Sequence, residues 1–184
     1  MSRALVPMAD GFEEIEALSV VDVLRRGGVE VVMASVSGSR EVRGAHGVTV
    51  LADKSMEDVF DERFDAVVLP GGSVGTANLG RSEAVTERLH RQKAEGGLIA
   101  AICAAPTVLA KVGVLEEGQH VTCHPACVEA LDRRSAGVPV VADGDVVTGQ
   151  AAGSALLFAL VLLKTLTNVN TAERVAQAMV TDVL

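Results

Sequence analysis

Short apolar runs without a charge recur along this chain, and stretches of helical periodicity stand between them. Residues 3–8, 30–36, 64–69 and 98–102 read as strands covered on both faces. A strand wet on one face would alternate apolar with polar side chains. Residues 13–26, 82–95, 104–112, 153–166 and 172–180 read as helices. Gly27 and Gly28 close the first, and Ser82 suits the N-cap of the second. Strand and helix in alternation predict an α/β fold, a mostly parallel sheet with helices on both faces. Weaker signals predict a hairpin over residues 41–52 around Gly44 to Gly47. Short strands are predicted at 120–122, 139–142 and 146–148.

The 184 residues, 49% of them hydrophobic, read as one domain spanning residues 1–184. Trp and Tyr are absent, so Val, Leu, Ala and Ile have to build the core. A net charge of −8, with no basic stripe and no interleaved aromatics, argues against specific nucleic-acid binding. The opening residues hold too short an apolar core for a signal peptide. The longest uncharged stretch, 146–163, is interrupted by Gly149-Gln150 and Gly153-Ser154, and its unbroken apolar part is too short to span a bilayer. A cytoplasmic protein with no membrane partner and with reduced cysteines is expected.

In parallel sheets, ligands bind beyond the carboxyl ends of the strands. Three loops fall there: Ala9-Asp10-Gly11, Pro70-Gly71-Gly72 and Cys103-Ala104. Cys103 ends a buried strand and precedes a helix with Pro106 in its first turn, where a missing N–H does no harm. The free N–H groups and dipole of that helix would draw the thiol down from about 8.5 towards a thiolate. Position alone leaves two readings open, a nucleophile and a core thiol. Glu13, Glu14 and Glu16 all suit a helix start. Glu16, however, shares the apolar stripe of Val20 and Val23, while Glu14 turns towards Arg25. A carboxyl on an apolar stripe keeps its proton, and could donate it to a thiolate and then exchange it with substrate. Gly71 and Gly72 let the backbone approach a ligand and offer N–H groups to an oxyanion. His120, Cys123, His124 and Cys127 are metal-ligand types, but their spacing matches no standard finger, and no metal is expected. Cys123 and Cys127 read as core or surface thiols, with a resolving thiol as the alternative. His124 could lie beside Cys103 as base or orienter. No dinucleotide fingerprint, P-loop or Gly-x-Ser-x-Gly elbow is present, and no cofactor is expected.

The segments Asp10 to Glu16, Val68 to Gly72, Ala100 to Pro106 and Val121 to Pro125 together resemble the parkinsonism-associated protein deglycase family. That family stands with intracellular-protease-like proteins in the class I glutamine amidotransferase-like superfamily. The resemblance runs in order over essentially the whole chain. It implies a flavodoxin-like three-layer α/β/α sandwich, a homodimer, and a cysteine at a strained nucleophile elbow. It implies Cys103 as nucleophile, Glu16 as the protonated acid touching its sulfur, and His124 as the nearby histidine. The N–H groups of Gly72 and Ala104 would bind the oxyanion. The implied activity is a cofactor-free glyoxalase or deglycase acting on methylglyoxal, glyoxal or their early adducts. Alternatives are an oxidative-stress sensor or chaperone-like protein, and a related cysteine hydrolase or hydratase. Protease activity belongs to a different branch. Gln150, followed by Ala151-Ala152-Gly153, and His46 stand where members often carry Arg, so the pocket reads as less basic.

Overall fold

The computed structural model describes residues 1–131 and 136–182. The chain runs through β1 (Arg3–Met8), α1 (Glu14–Arg26) and β2 (Glu30–Ser35). A ribbon of β3 (Glu41–Arg43) and β4 (Thr49–Leu51) follows, then β5 (Lys54–Ser55), β6 (Ala66–Leu69), α2 (Ser73–Leu79) and α3 (Glu83–Ala94). Next come β7 (Leu98–Ile102), α4 (Pro106–Val112), β8 (Val140–Asp143), β9 (Val146–Gly149), α5 (Ala155–Leu166) and α6 (Val169–Ala178). Seven strands share one sheet in the order β5-β2-β1-β6-β7-β9-β8. Every pairing in it is parallel except β8 with β9. The ribbon pairs antiparallel on its own.

The period of two along each strand sorts side chains into two layers. Ala4, Val6 and Met8 of β1 pack with Val20 and Leu24 of α1, Phe158 and Leu162 of α5, and Val175 of α6. Leu5 of β1, Val67 of β6 and Ile99 of β7 pack instead with Leu89 of α3 and Leu109 of α4. The result is the three-layer α/β/α sandwich with a mostly parallel sheet that the sequence implied. From β1 the chain adds β2 and β5 on one side, then crosses to β6, β7 and β9 on the other. A crevice opens at such a reversal, past the carboxyl ends of β1 and β6. Among the described residues no helix is long and apolar enough to cross a membrane.

Two local expectations need correction. The segment 120–122 is not a strand and makes only an isolated bridge at Val121. β9 is already flanked by β7 and β8 and has no free side for it to pair with. The Thr122 N–H goes instead to Thr148 Oγ1 at 2.8 Å. The helix expected from residue 104 begins at Pro106, because residues 103–105 form a turn closed by the Ala105 N–H on the Ile102 carbonyl at 3.1 Å. Two elements had no clear sign in the sequence: α2, a short helix straight after Gly71-Gly72, and the two-residue β5. Ser82 does cap α3, accepting the Val85 N–H.

Gly27 lets α1 and α5 close on one another. Its backbone is ordinary, φ −81°, but a Cβ there would run into the Leu163 side chain, 2.7 Å from Cδ2. Gly27→Ala should therefore cost about 1–3 kcal/mol through overpacking. A thermal melt should show Tm lower by roughly 2–10 °C.

Candidate active site at the carboxyl edge of the sheet

Alternation along β7 sends Leu98, Ala100 and Ile102 to the α1 layer, and Ile99 and Ala101 to the α3/α4 layer. Residue 103 would continue into the second layer. Cys103 has a left-handed backbone instead, φ 66°, and its side chain packs against the α1 layer. Such a conformation costs a non-glycine residue about 1–3 kcal/mol. Two main-chain bonds hold it: the Cys103 N–H donates to the Gly149 carbonyl at 2.9 Å, and the Cys103 carbonyl accepts the His124 N–H at 2.8 Å.

The turn brings the thiol to Glu16, which the first turns of α1 bury completely. Glu16 Oε2 accepts the Gly71 N–H at 2.9 Å, and Oε1 is buried with no nitrogen or oxygen partner. The Cys103 thiol is the side chain that faces this carboxyl across Gly71. Gly71 makes the approach possible: a Cβ on it would lie 2.5 Å from Glu16 Oε2 and 2.6 Å from Cys103 Cβ. Gly72 has φ 90°, and a Cβ there would lie 2.7 Å from the Glu13 nitrogen. Both its conformation and its crowding require glycine. The N–H groups of Gly72 and Ala104 face the Cys103 sulfur.

Burial pushes Glu16 up to about 7, against its hydrogen bonds to Cys103 and the Gly71 N–H, and the charge of Glu13 adds to the rise. The thiol departs from expectation. Burial, then the charge and hydrogen bond of Glu16, push Cys103 up to about 12, against the N–H groups of Gly72 and Ala104. A helix start was expected to lower it, but α4 begins three residues later and two amides do not outweigh a buried, carboxylate-facing site. Near neutrality the carboxyl is partway through its titration while the thiol keeps its own proton, and a thiolate is disfavoured unless Glu16 is protonated.

His124 is joined to Cys103 through its main chain, while its ring Nδ1 accepts the Ala126 N–H at 3.2 Å and caps a 3-10 turn over Pro125–Ala130. A neutral ring so engaged carries its proton on Nε2. Cys123 is buried, donates its S–H to the His124 carbonyl at 3.3 Å, and packs with Cys127 in the α3/α4 layer, the layer opposite Cys103. His120 bonds Asp143. Among the described residues, His120, Cys123, His124 and Cys127 form no group of converging ligand atoms. Glu13, Glu14 and His46 do converge, with donor atoms within 4.8 Å of one another.

That last group was not legible in the sequence. Glu14 does not turn towards Arg25, which pairs with Asp53 instead. The β3–β4 turn folds over it: Glu14 Oε1 accepts the His46 N–H at 2.7 Å, and Oε2 bonds His46 Nδ1 at 2.9 Å. Burial would raise Glu14, but the His46 ring and the surrounding N–H groups outweigh it and hold the carboxyl below its usual range. The hydrogen bond to Glu14, with the charges of Glu13 and Glu14, raises His46. Gln150 donates its N–H to the Pro139 carbonyl at 2.9 Å and lies half-buried beside Gly149.

Sandwich and corner together define a class: flavodoxin-like proteins with a cysteine at a strained strand-to-helix turn and a buried glutamic acid against its sulfur. Comparison with known proteins makes the class specific. Residues 2–165 match the DJ-1/PfpI family, and the chain belongs to that family. It is 41% identical over 179 residues to Protein dj-1beta of Drosophila melanogaster, covering 96% of this chain and 95% of that protein. It is 37% identical over 165 residues to the glutathione-independent glyoxalase DJR-1.2 of Caenorhabditis elegans, covering 88% of this chain and 86% of that protein. The solved structure of oxidized Toxoplasma gondii DJ-1 superposes with a TM-score of 0.95 at 40% identity, covering 98% of this chain and 99% of that one.

The raised Glu16 makes stability depend on pH. Its ordinary value of 4.5 becomes about 7 in the fold, so the folded protein binds this proton more tightly than the unfolded chain does. Stability is lost as pH rises between those values, by about 3 kcal/mol in total. Glu16→Gln keeps an acceptor for the Gly71 N–H and cannot ionise. Urea unfolding at about pH 8 should find it more stable than wild type by up to that amount, with the gap closing towards pH 4.5.

Proposed function

We propose that this protein is a cytoplasmic, cofactor-free, cysteine-dependent glyoxalase or deglycase acting on methylglyoxal, glyoxal or their early adducts. One observation carries the reading: the Cys103 sulfur meets a buried acid, Glu16, and two backbone N–H groups, from Gly72 and Ala104, at the same point. Nucleophile, proton carrier and oxyanion donors are the parts that carbonyl addition requires. The glyoxalase name of the Caenorhabditis elegans relative supports the same chemistry.

With the proton on Glu16, the thiolate adds to the aldehyde carbon of methylglyoxal. A C–S bond forms, and the oxygen charge falls to the Gly72 and Ala104 N–H groups until it takes the Glu16 proton. The carboxylate then removes the hydrogen from that carbon and returns a proton to the neighbouring one. This isomerisation needs no external oxidant and yields a thioester of lactate on Cys103. Water cleaves the C–S bond, giving lactate and the free thiol. Glyoxal would give glycolate by the same route. His124 serves here as an orienter, its N–H fixing the Cys103 carbonyl. Its ring is a second candidate base only if it lets go of the Ala126 N–H.

A second reading is redox sensing, and the same groups favour it. Two N–H donors and a protonated Glu16 would hold a sulfinate on Cys103, and a related structure is described as oxidized. A homodimer fits both readings, since exposed Ile15, Val48, Leu51 and Val74 cluster around the start of α1 and the ribbon.

Purified protein should convert methylglyoxal to lactate without glutathione. Cys103→Ser should fall to background and Glu16→Gln by roughly 10²–10⁴-fold. Equal rates in wild type and Cys103→Ser would end the enzyme reading, and a two-oxygen mass addition at Cys103 after mild peroxide would then favour the sensor. Light scattering should give about twice the 19.0 kDa chain mass, and Ile15→Glu with Leu51→Glu should halve it.

A further inference from the structure

Acidic side chains stand close to the reactive sulfur from the start of α1. Glu16 faces the sulfur directly. Glu13 opens α1 with its N–H on the Gly71 carbonyl at 3.0 Å, one residue from the Gly72 N–H that points at the sulfur. Its side chain is 16% exposed, so it stands at the rim and not in the core. Its charge is felt inside, where it helps to raise Glu16. His46 lies between two carboxylates, 3.5 Å from Glu13 Oε2 and 2.9 Å from Glu14 Oε2. Even protonated it leaves that trio with a net charge of −1. Arg43, on the strand leading into the same turn, makes no ion pair among the described residues. On the other flank Gln150 offers a neutral amide next to Gly149, whose carbonyl holds the Cys103 N–H.

We propose that Glu13, backed by Glu14, makes this a site for uncharged and amine-bearing carbonyl compounds and excludes those that carry a carboxylate or a phosphate. The inference rests on the reading of Cys103 as the reactive group. The Gly72 and Ala104 N–H groups serve the oxygen that is attacked, so the selection acts on the substituent beyond it. An amine-bearing aldehyde or an early adduct beside a protonated amine would be drawn in, and an α-oxo acid or a phosphorylated aldehyde would be repelled. An excess of one charge sign beside a site changes the local concentration of charged reagents by about tenfold or more.

Three methanethiosulfonates test this without any turnover: a trimethylammonioethyl reagent, a methyl reagent and a sulfonatoethyl reagent. Each forms a mixed disulfide with the thiolate and releases methanesulfinate. Rates at Cys103, read by intact mass with Cys103→Ser as the blank for Cys123 and Cys127, are divided by the rates with free mercaptoethanol. The cationic reagent should then exceed the anionic one by about tenfold or more at low salt. The ratio should fall towards one in Glu13→Gln, and also in wild type as salt screens the rim. An anionic reagent that reacts as fast as the cationic one would overturn the proposal, and so would a ratio that ignores both salt and Glu13→Gln. Failure to form lactate would remove the enzyme reading and leave this ratio intact. Lack of modification at Cys103 by all three reagents would remove both.

Discussion

The left-handed backbone of Cys103 is the constraint on which the rest of the site depends. Continued alternation along β7 would bury the sulfur among the side chains beneath α3 and α4. The turn at φ 66° carries it to the α1 side, where Glu16 is. The conformation costs about 1–3 kcal/mol, and the surroundings hold it from both sides through the Gly149 carbonyl and the His124 N–H. Other features read as conditions for that approach. Gly71 has no Cβ to stand between carboxyl and sulfur, and Gly72 takes a conformation that aims its N–H. His124 lies close because its main chain completes the turn, not because its ring seeks the thiol.

Pairing a thiol with a buried carboxyl gives a different kind of activation from a Cys–His pair. A cysteine beside an imidazolium is stabilised as thiolate by an opposite charge. Here the neighbour is itself an acid, and its charge opposes the thiolate. On the proposed mechanism reactivity needs the proton to sit on Glu16, and burial favours the protonated carboxyl. The same burial makes the ionised form expensive, so the site subtracts stability from the fold. Two apolar layers, filled by residues such as Phe12, Phe158, Leu5 and Leu109, offset that loss. On the proposed mechanism activity and stability draw on Glu16 in opposite directions.

The sequence reveals the parts of this design that follow from periodicity. Uncharged runs such as residues 98–102 announce a sheet covered on both faces. The 100° step that groups Val20 with Val23 also places Glu16 among them, so its burial was legible. Contacts between elements were not. Nothing local says that the β3–β4 turn folds over Glu14, or that β8 takes the sheet position beside β9 and leaves residues 120–122 unpaired. The direction of the thiol shift was misread for the same reason. A helix start is visible in the sequence, but the charge of a carboxyl brought in from α1 is not. The family was legible from four segments in order, and most specifically from the block Ala100 to Ala104 with Glu13, Glu14 and Glu16 upstream.

The topology explains why these loops meet. The chain leaves β1 in one direction and returns on its other side at β6, so the loops after those two strands face each other across the reversal. One delivers Glu13 and Glu16, and the other delivers Gly71 and Gly72. β7, next to β6, brings Cys103 into the same crevice. The two acids nevertheless play separable parts. Glu16 is locked in the core, where any change alters the proton that the thiol depends on. Glu13 sits at the helix start, partly exposed, held by its backbone and not by its carboxylate. Its charge can change without moving a reacting atom. On the proposed reading such a fold keeps one reactive pair while a rim side chain sets which electrophiles reach it, and in this chain Glu13 and Glu14 stand at that rim.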